Sequence, residues 1–137
     1  MLCFGRAPKG KSHWLIGLQD PYSNKDTEGH DILLKLKLVN GAVATNGDYQ
    51  QFALIKGKRY SHIINRQTGT SAEGLSSVTI IADNATDADA LATAVSVMGV
   101  EKGLALIEKL PNTEAILVTS QPEYKIIKTS GAEKYIK

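Results

Sequence analysis

The chain has 137 residues, 42% hydrophobic and 22% charged, and 16 Lys and Arg against 14 Asp and Glu give it a net charge of +2. That length suits one domain, able to bury about 68–70% of its unfolded surface. So small a charge, with Lys and Arg scattered along the sequence, argues against nucleic acid or an anionic membrane surface as a partner. The single cysteine, Cys3, excludes an internal disulfide framework and a cysteine-based zinc site.

No apolar run approaches the roughly 20 residues that span a bilayer. Met1 to Phe4 is followed at once by Gly5, Arg6 and Pro8, with no h-region. As written, the chain carries no export signal and reads as cytoplasmic.

Residues 1–13 read as a turn and tail, and 14–137 as the body of the single domain. Within the tail, Gly5 to Ser12 fits G-x-x-x-x-G-K-[ST], the phosphate-cradling loop. That loop needs a strand before it and a helix after it, so that the helix N-terminus faces the phosphate. Only four residues precede Gly5, and the stretch from His13 to Gln19 is strand-like and cut off by Pro21. A Lys-rich hairpin turn is the better account.

Trp14 to Leu18 predicts a short strand. Ile32 to Val39 alternates, Leu34, Leu36 and Leu38 on one face and Lys35 and Lys37 on the other, which predicts a half-exposed strand. Ala42 to Thr45 is a further short strand. Phe52 to Ile55 and Tyr60 to Ile64 form a hairpin across Lys56 to Arg59. Ser77 to Ala82 is a continuous apolar strand, expected to be central.

Thr86 to Gly99 predicts a helix, with Thr86 as N-cap and Asp89 completing a capping-box-like pair. No charge occurs from Ala90 to Gly99, so the helix is expected to be buried nearly all round. A second helix, Val100 to Leu110, presents Val100, Leu104 and Ile107 on one face and stops at Pro111; Gly103 inside it costs about 1 kcal/mol against Ala. Glu114 to Thr119 and Tyr124 to Lys128 are strands, and Lys134 to Lys137 is a last short one. The fold class is therefore α/β (α+β-like): a mostly antiparallel sheet packed with two consecutive helices, since most strand connections are too short for crossovers.

Asp89 and Thr93, four apart and so on one helix face, are the leading candidates for chemistry. Two readings stand. In one, the Asp89 carboxylate caps amides of the first turn and the Thr93 hydroxyl bonds back to the Asp89 carbonyl. In the other, the pair holds a hard cation, since carboxylate, hydroxyl and carbonyl oxygens are what magnesium prefers. Asp48 follows Gly47 at a strand end, where a plain turn Asp is the simpler reading. His62 lies in the second hairpin strand beside Tyr60 and Ile64. The three histidines, His13, His30 and His62, show no metal-ligand spacing.

Taken together, Ala44 to Tyr49 (ATNGDY), Tyr60 to Asn65 (YSHIIN) leading to Thr68-Gly69, Ser77 to Ala82, and Ala88 to Ala94 (ADALATA) resemble the FAD:protein FMN transferases. This is the ApbE family, once labelled thiamine biosynthesis lipoproteins. The resemblance runs from about Trp14 to the C-terminus and covers the C-terminal half of a typical member. It departs at Asn65-Arg66-Gln67, where the family commonly has Asp-Pro, and losing Pro removes a rigid turn element.

The resemblance implies the C-terminal half of an ApbE-type fold and an enzyme that cleaves FAD, transfers FMN to a Ser or Thr hydroxyl of an acceptor flavoprotein and releases AMP. It implies Mg2+ as cofactor, Asp89 and Thr93 as its ligands, and His62 as the catalytic residue. It places Thr45, Gly47 and Asp48 in a motif lining the flavin site. It also implies a family commonly anchored as a periplasmic lipoprotein. The alternative is a non-catalytic half-length protein that folds, or forms a homodimer over an exposed apolar patch, without transferase activity of its own.

Overall fold

The computed structural model describes every residue except 24–30, 48–51, 57, 62, 71–72, 121 and 123. Nine strands and one long helix occur among the described residues: β1 (Leu2–Cys3), β2 (Trp14–Gln19), β3 (Ile32–Leu38), β4 (Gly41–Gly47), β5 (Phe52–Ile55), β6 (Lys58–Ser61), β7 (Leu75–Ala82), α1 (Ala85–Ile107), β8 (Glu114–Thr119) and β9 (Ile126–Lys128). Five of the strands form an antiparallel sheet in the order β1-β4-β7-β8-β9, with the apolar strand β7 at its centre. β2 with β3 and β5 with β6 form separate two-stranded ribbons.

Strand alternation gives the sheet two dry faces. Val78, Ile80 and Ala82 of β7 join Ala42, Ala115 and Leu117 against Ala88, Ala92, Val95 and Ile107 of α1. On the opposite face Val43, Ile81 and Ile116 meet Ile16, Leu18, Leu36 and Leu38 of the β2–β3 ribbon. The alternation expected of Leu34 to Leu38 is what buries Leu36 and Leu38 here and leaves Lys35 exposed. The molecule is therefore layered as helix, sheet and ribbon. Tyr22, beyond β2, ties the ribbon to the sheet: its hydroxyl bonds Ser76 Oγ at 2.5 Å, and Tyr124 packs edge-on against its ring at 5.3 Å.

Several local expectations change. The first residues are not a free tail: β1 pairs with β4, and Cys3 is buried in the ribbon-side core. Residues 5–13 do form a turn, closed by Lys11 N–H donating to Pro8 O at 2.9 Å, and β2 rather than a helix comes after it, so the phosphate-loop geometry is absent. The second strand of the β5–β6 hairpin starts at Lys58, pairing with Ile55. A two-residue turn thus replaces the four-residue one, with Lys56 at φ 51° as such tight hairpins require. Residues Ala132–Tyr135 wind into a 3-10 turn instead of a strand, although Ile136 still bridges to Leu36.

The two consecutive helices are the two arms of α1. Gly99, at φ 77° and ψ −177°, breaks the helical path between them. By length and a mean hydropathy of 1.5 this element could cross a membrane, but it is broken at Gly99 and lies on β4, β7 and β8 as a core helix. Gly103 in the second arm has a positive reason to be there. A Cβ on it would lie 2.6 Å from Val95 Cγ1 of the first arm, so the missing side chain is what lets the arms close. Gly103→Ala is therefore expected to destabilise by about 1–3 kcal/mol through overpacking, despite Ala's better helix propensity. Chemical denaturation of Gly103→Ala alone and with Val95→Ala tests this. The pair should be less damaging than the sum of the two single changes.

Candidate functional site

The first turn of α1 decides which residues are free for chemistry. Asn84, not Thr86, is the N-cap: its φ of −138° and ψ of 159° are extended, and its side-chain oxygen accepts the Asp87 N–H at 2.9 Å. Asp87 returns the bond, accepting from Asn84 Nδ2 at 2.7 Å. The reciprocal pair is thus Asn84 with Asp87, two residues earlier than expected. That removes the capping reading of Asp89, whose carboxylate has no hydrogen-bond or ion-pair partner among the described residues.

The burial expected of this helix is also partial. Only Ala88, Ala92, Val95 and Ser96 of the first arm are buried, one stripe against the sheet, while Asp89, Ala90 and Thr93 are exposed. Asp89 therefore needs no partner to be tolerated, because water solvates it.

Thr93 bonds as both readings allow. Its hydroxyl donates to the Asp89 carbonyl at 3.2 Å and accepts from Asn46 Nδ2 at 2.9 Å. A hydroxyl has one proton and two lone pairs, so one lone pair remains open. Asn46, which sequence reasoning passed over, is the residue that links the Thr-Asn-Gly motif of β4 to the helix. The signal for it was strand parity: Ala42 and Ala44 pack toward α1, so Asn46 does too.

The same parity separates Thr45 from this group. Thr45 points to the ribbon side, where its hydroxyl shares a 2.9 Å hydrogen bond with that of Thr79. Gly47 closes β4 opposite Ser77. Asp48 and His62 lie outside the described residues, as does His30. The turn after His62 is closed locally: Asn65 Oδ1 accepts the Gln67 N–H at 3.0 Å, and Gly69 N–H donates to Asn65 O at 2.8 Å. The Asn65 side chain thus fixes, by an Asx turn, the bend that Pro would have rigidified.

Beside Asp89 lies an open depression of about 550 Å³, lined by Met1, Ala44, Ala85, Thr86, Asp89 and Ala90. The Met1 ammonium forms one margin, donating to Val43 O at 2.6 Å. Cys3, buried in the ribbon-side core, has its thiol pushed up by burial, with the N-terminal charge acting the other way. A thiol whose folded pKa exceeds its unfolded one lends stability that is complete below the unfolded value and is lost as pH rises through the folded one. Between about pH 8 and 10, wild type should therefore lose stability relative to Cys3→Ala, as read by urea midpoints of both proteins across that range. Parallel curves would show that Cys3 ionises alike in both states.

The exposed carboxylate, the half-engaged hydroxyl and the depression together form an oxygen-rich surface at one end of α1. Among the described residues no group of three or more His, Cys, Asp or Glu side chains is placed to hold a metal ion.

Known proteins match this chain along most of its length. The sequence model of the ApbE family matches residues 1–117, so the similarity starts at the first residue and not at Trp14. The FAD:protein FMN transferase of Treponema pallidum (strain Nichols) is 36% identical over 119 residues, which are 86% of this chain and 31% of that protein. The enzyme of the same name from Klebsiella pneumoniae (strain 342) is 33% identical over 108 residues, 77% of this chain and 33% of its own length. A crystal structure of an ApbE protein from Thermotoga maritima superposes with a TM-score of 0.78 at 35% identity, over 93% of this chain and 40% of that one. The apo flavinyl transferase ApbE of Pseudomonas stutzeri gives 0.71 at 32%, over 95% and 39%. The chain thus spans about a third of the length of these curated relatives and about two fifths of these solved chains.

Proposed function

The chain belongs to the ApbE family, and on that premise we propose that it carries the metal-holding part of an FAD:protein FMN transferase. The reaction is attack of a Ser or Thr hydroxyl of an acceptor protein on the FMN phosphorus of FAD. A new phosphoester bond forms, the pyrophosphate bond breaks, and AMP leaves with the bridging oxygen. The observation that carries this reading is the Asp89 carboxylate, free of protein partners among the described residues and four residues from a hydroxyl set by Asn46, at the margin of the depression.

The donor chemistry fits magnesium. Asp89 and Thr93 would supply two oxygens of a site that usually keeps several waters. When bound, such an ion would supply neutralisation of phosphate charge. The chain's own residues supply orientation. Asn46 donates to Thr93 Oγ1 and the Thr93 proton is committed to the Asp89 carbonyl, which holds the hydroxyl in place with one lone pair open. His62, next in sequence after β6, is assigned to take the proton of the attacking hydroxyl, as an imidazole can do.

The test uses the chain as it stands, incubated with FAD, magnesium and an acceptor protein and then run on a denaturing gel. A fluorescent acceptor band, absent with EDTA, is the expected result. No labelled acceptor even at high protein concentration would overturn independent catalysis.

A further inference from the structure

β4 is paired along the whole of one edge and along less than half of the other. On its inner edge every residue from Ala42 to Gly47 pairs with β7. On its outer edge β1 pairs only with Gly41 and Ala42, and the line ends where Met1 and Val43 exchange main-chain bonds. There Val43 N–H donates to Met1 O at 2.8 Å and the Met1 ammonium donates to Val43 O at 2.6 Å. In an antiparallel strand the main-chain groups of alternate residues face alternate edges. Those of Val43 face outward, so those of Thr45 and Gly47 do too. Among the described residues nothing pairs with these outward groups.

Such an edge is a template for a further strand, and proteins commonly blunt it with a charge, a proline or a bulge. β4, with the sequence GAVATNG and an unshifted register against β7, has none of the three. Gly47 has no side chain to hold another backbone away. The depression beside Asp89 opens on the same edge: Met1 and Ala44 line it from the sheet, and Thr86 and Asp89 from α1.

We propose that the acceptor polypeptide of the flavin transfer docks here as an added strand, in line with β1 and antiparallel to β4. That the strand belongs to the acceptor rests on the transferase reading; the open edge does not. In the register that continues β1, one residue of the strand pairs with Gly47 and the second residue after it pairs with Thr45, each exchanging two main-chain hydrogen bonds. The residue between them lies opposite Asn46, on the face of the sheet that Ala42 and Ala44 turn to α1. Met1 occupies the next place in line, so the strand leaves the sheet at Ala44 and its next side chain enters the depression at Asp89. A Ser or Thr there is the hydroxyl presented for transfer. Main-chain pairing supplies the affinity without regard to side chains, so the acceptor is selected by where its hydroxyl stands relative to the paired residues.

Amide hydrogen exchange with a probe peptide tests it. The probe is Lys-Val-Thr-Val-Ser-Gly-Lys, whose two valines pair with Gly47 and Thr45 in this register. In the chain alone the Thr45 and Gly47 amides should exchange fast, while those of Ala44 and Asn46, bonded to β7, should exchange slowly. Peptide at about 1 mM should slow the first two severalfold and leave the other two unchanged. N-methylation of both valines removes the donors aimed at β4 and should abolish the effect; N-methylation of the Thr and Ser, whose N–H groups point away, should not. No slowing at Thr45 and Gly47, equal slowing by the valine-methylated peptide, or equal slowing along the outer edge of β9 would overturn the proposal. Flavin transfer to the same peptides separates docking from chemistry. If the plain and valine-methylated peptides are labelled alike, the docking is overturned and the transferase reading stands. If neither is labelled while Thr45 and Gly47 are protected, the strand site is upheld and independent transfer by this chain fails.

Discussion

On the proposed assignment, Asp89→Ala is expected to lower magnesium-dependent flavin transfer about a hundredfold or more while leaving the fold intact. Removing a ligand forfeits charge neutralisation worth several kcal/mol, and each 1.4 kcal/mol is a factor of about ten in rate. Stability should move by no more than about 0.5 kcal/mol, because the carboxylate is exposed and bonds to nothing among the described residues. The two effects are separable. Wild type should melt higher when millimolar magnesium is added, through binding to the folded state alone, and the variant should not. Thr93→Val should fall between the two proteins in transfer, since it removes one oxygen and strands the Asn46 donor. If Asp89→Ala keeps both its magnesium-dependent transfer and its magnesium-induced shift in melting, the assignment of Asp89 as a ligand is wrong.

Ile80→Ala should have the largest effect on stability, about 2–5 kcal/mol. Ile80 is fully buried in the central strand, between the neighbouring strands and beneath the buried stripe of α1. Its loss leaves a cavity with walls on β4, β8 and the helix, none of which can collapse without shifting a hydrogen-bonded ladder. Against a total stability of about 5–15 kcal/mol this is a large fraction, and the melting temperature should fall by roughly ten degrees. Ile126→Ala on the edge strand β9, 37% exposed, should shift it little. A loss below about 1 kcal/mol at Ile80 would mean that the helix layer repacks and that the core is looser than its geometry implies.

What could be read from the sequence tracked the strength of each local pattern. β3 and β7 were legible because alternation and an unbroken apolar run are direct consequences of half-buried and fully buried strands. The partner of Gly103 was not, because its reason lies across the helix break at Val95, and propensity alone records only a penalty. The helix start was misplaced at Thr86 because Thr86 and Asp89 satisfy the same spacing rule as Asn84 and Asp87. Only backbone dihedrals distinguish the two registers. That two-residue shift mattered more than its size, since it changed Asp89 from a cap into an uncommitted carboxylate. Of the site, Asp89 and Thr93 were legible from i,i+4 spacing, whereas Asn46 became visible only once the parity of β4 was fixed by Ala42 and Ala44.

The break at Gly99 also replaces a lever with a packed joint. An unbroken helix is a stiff rod, and a change of tilt near Ile107 would swing Asp89 like the far end of a lever. With the path interrupted at Gly99, the second arm instead meets the first side by side, Gly103 against Val95. Bulk added at Gly103 would therefore reach the Asp89 and Thr93 oxygens by pressing on Val95, two residues beyond Thr93, and not along a continuous rod.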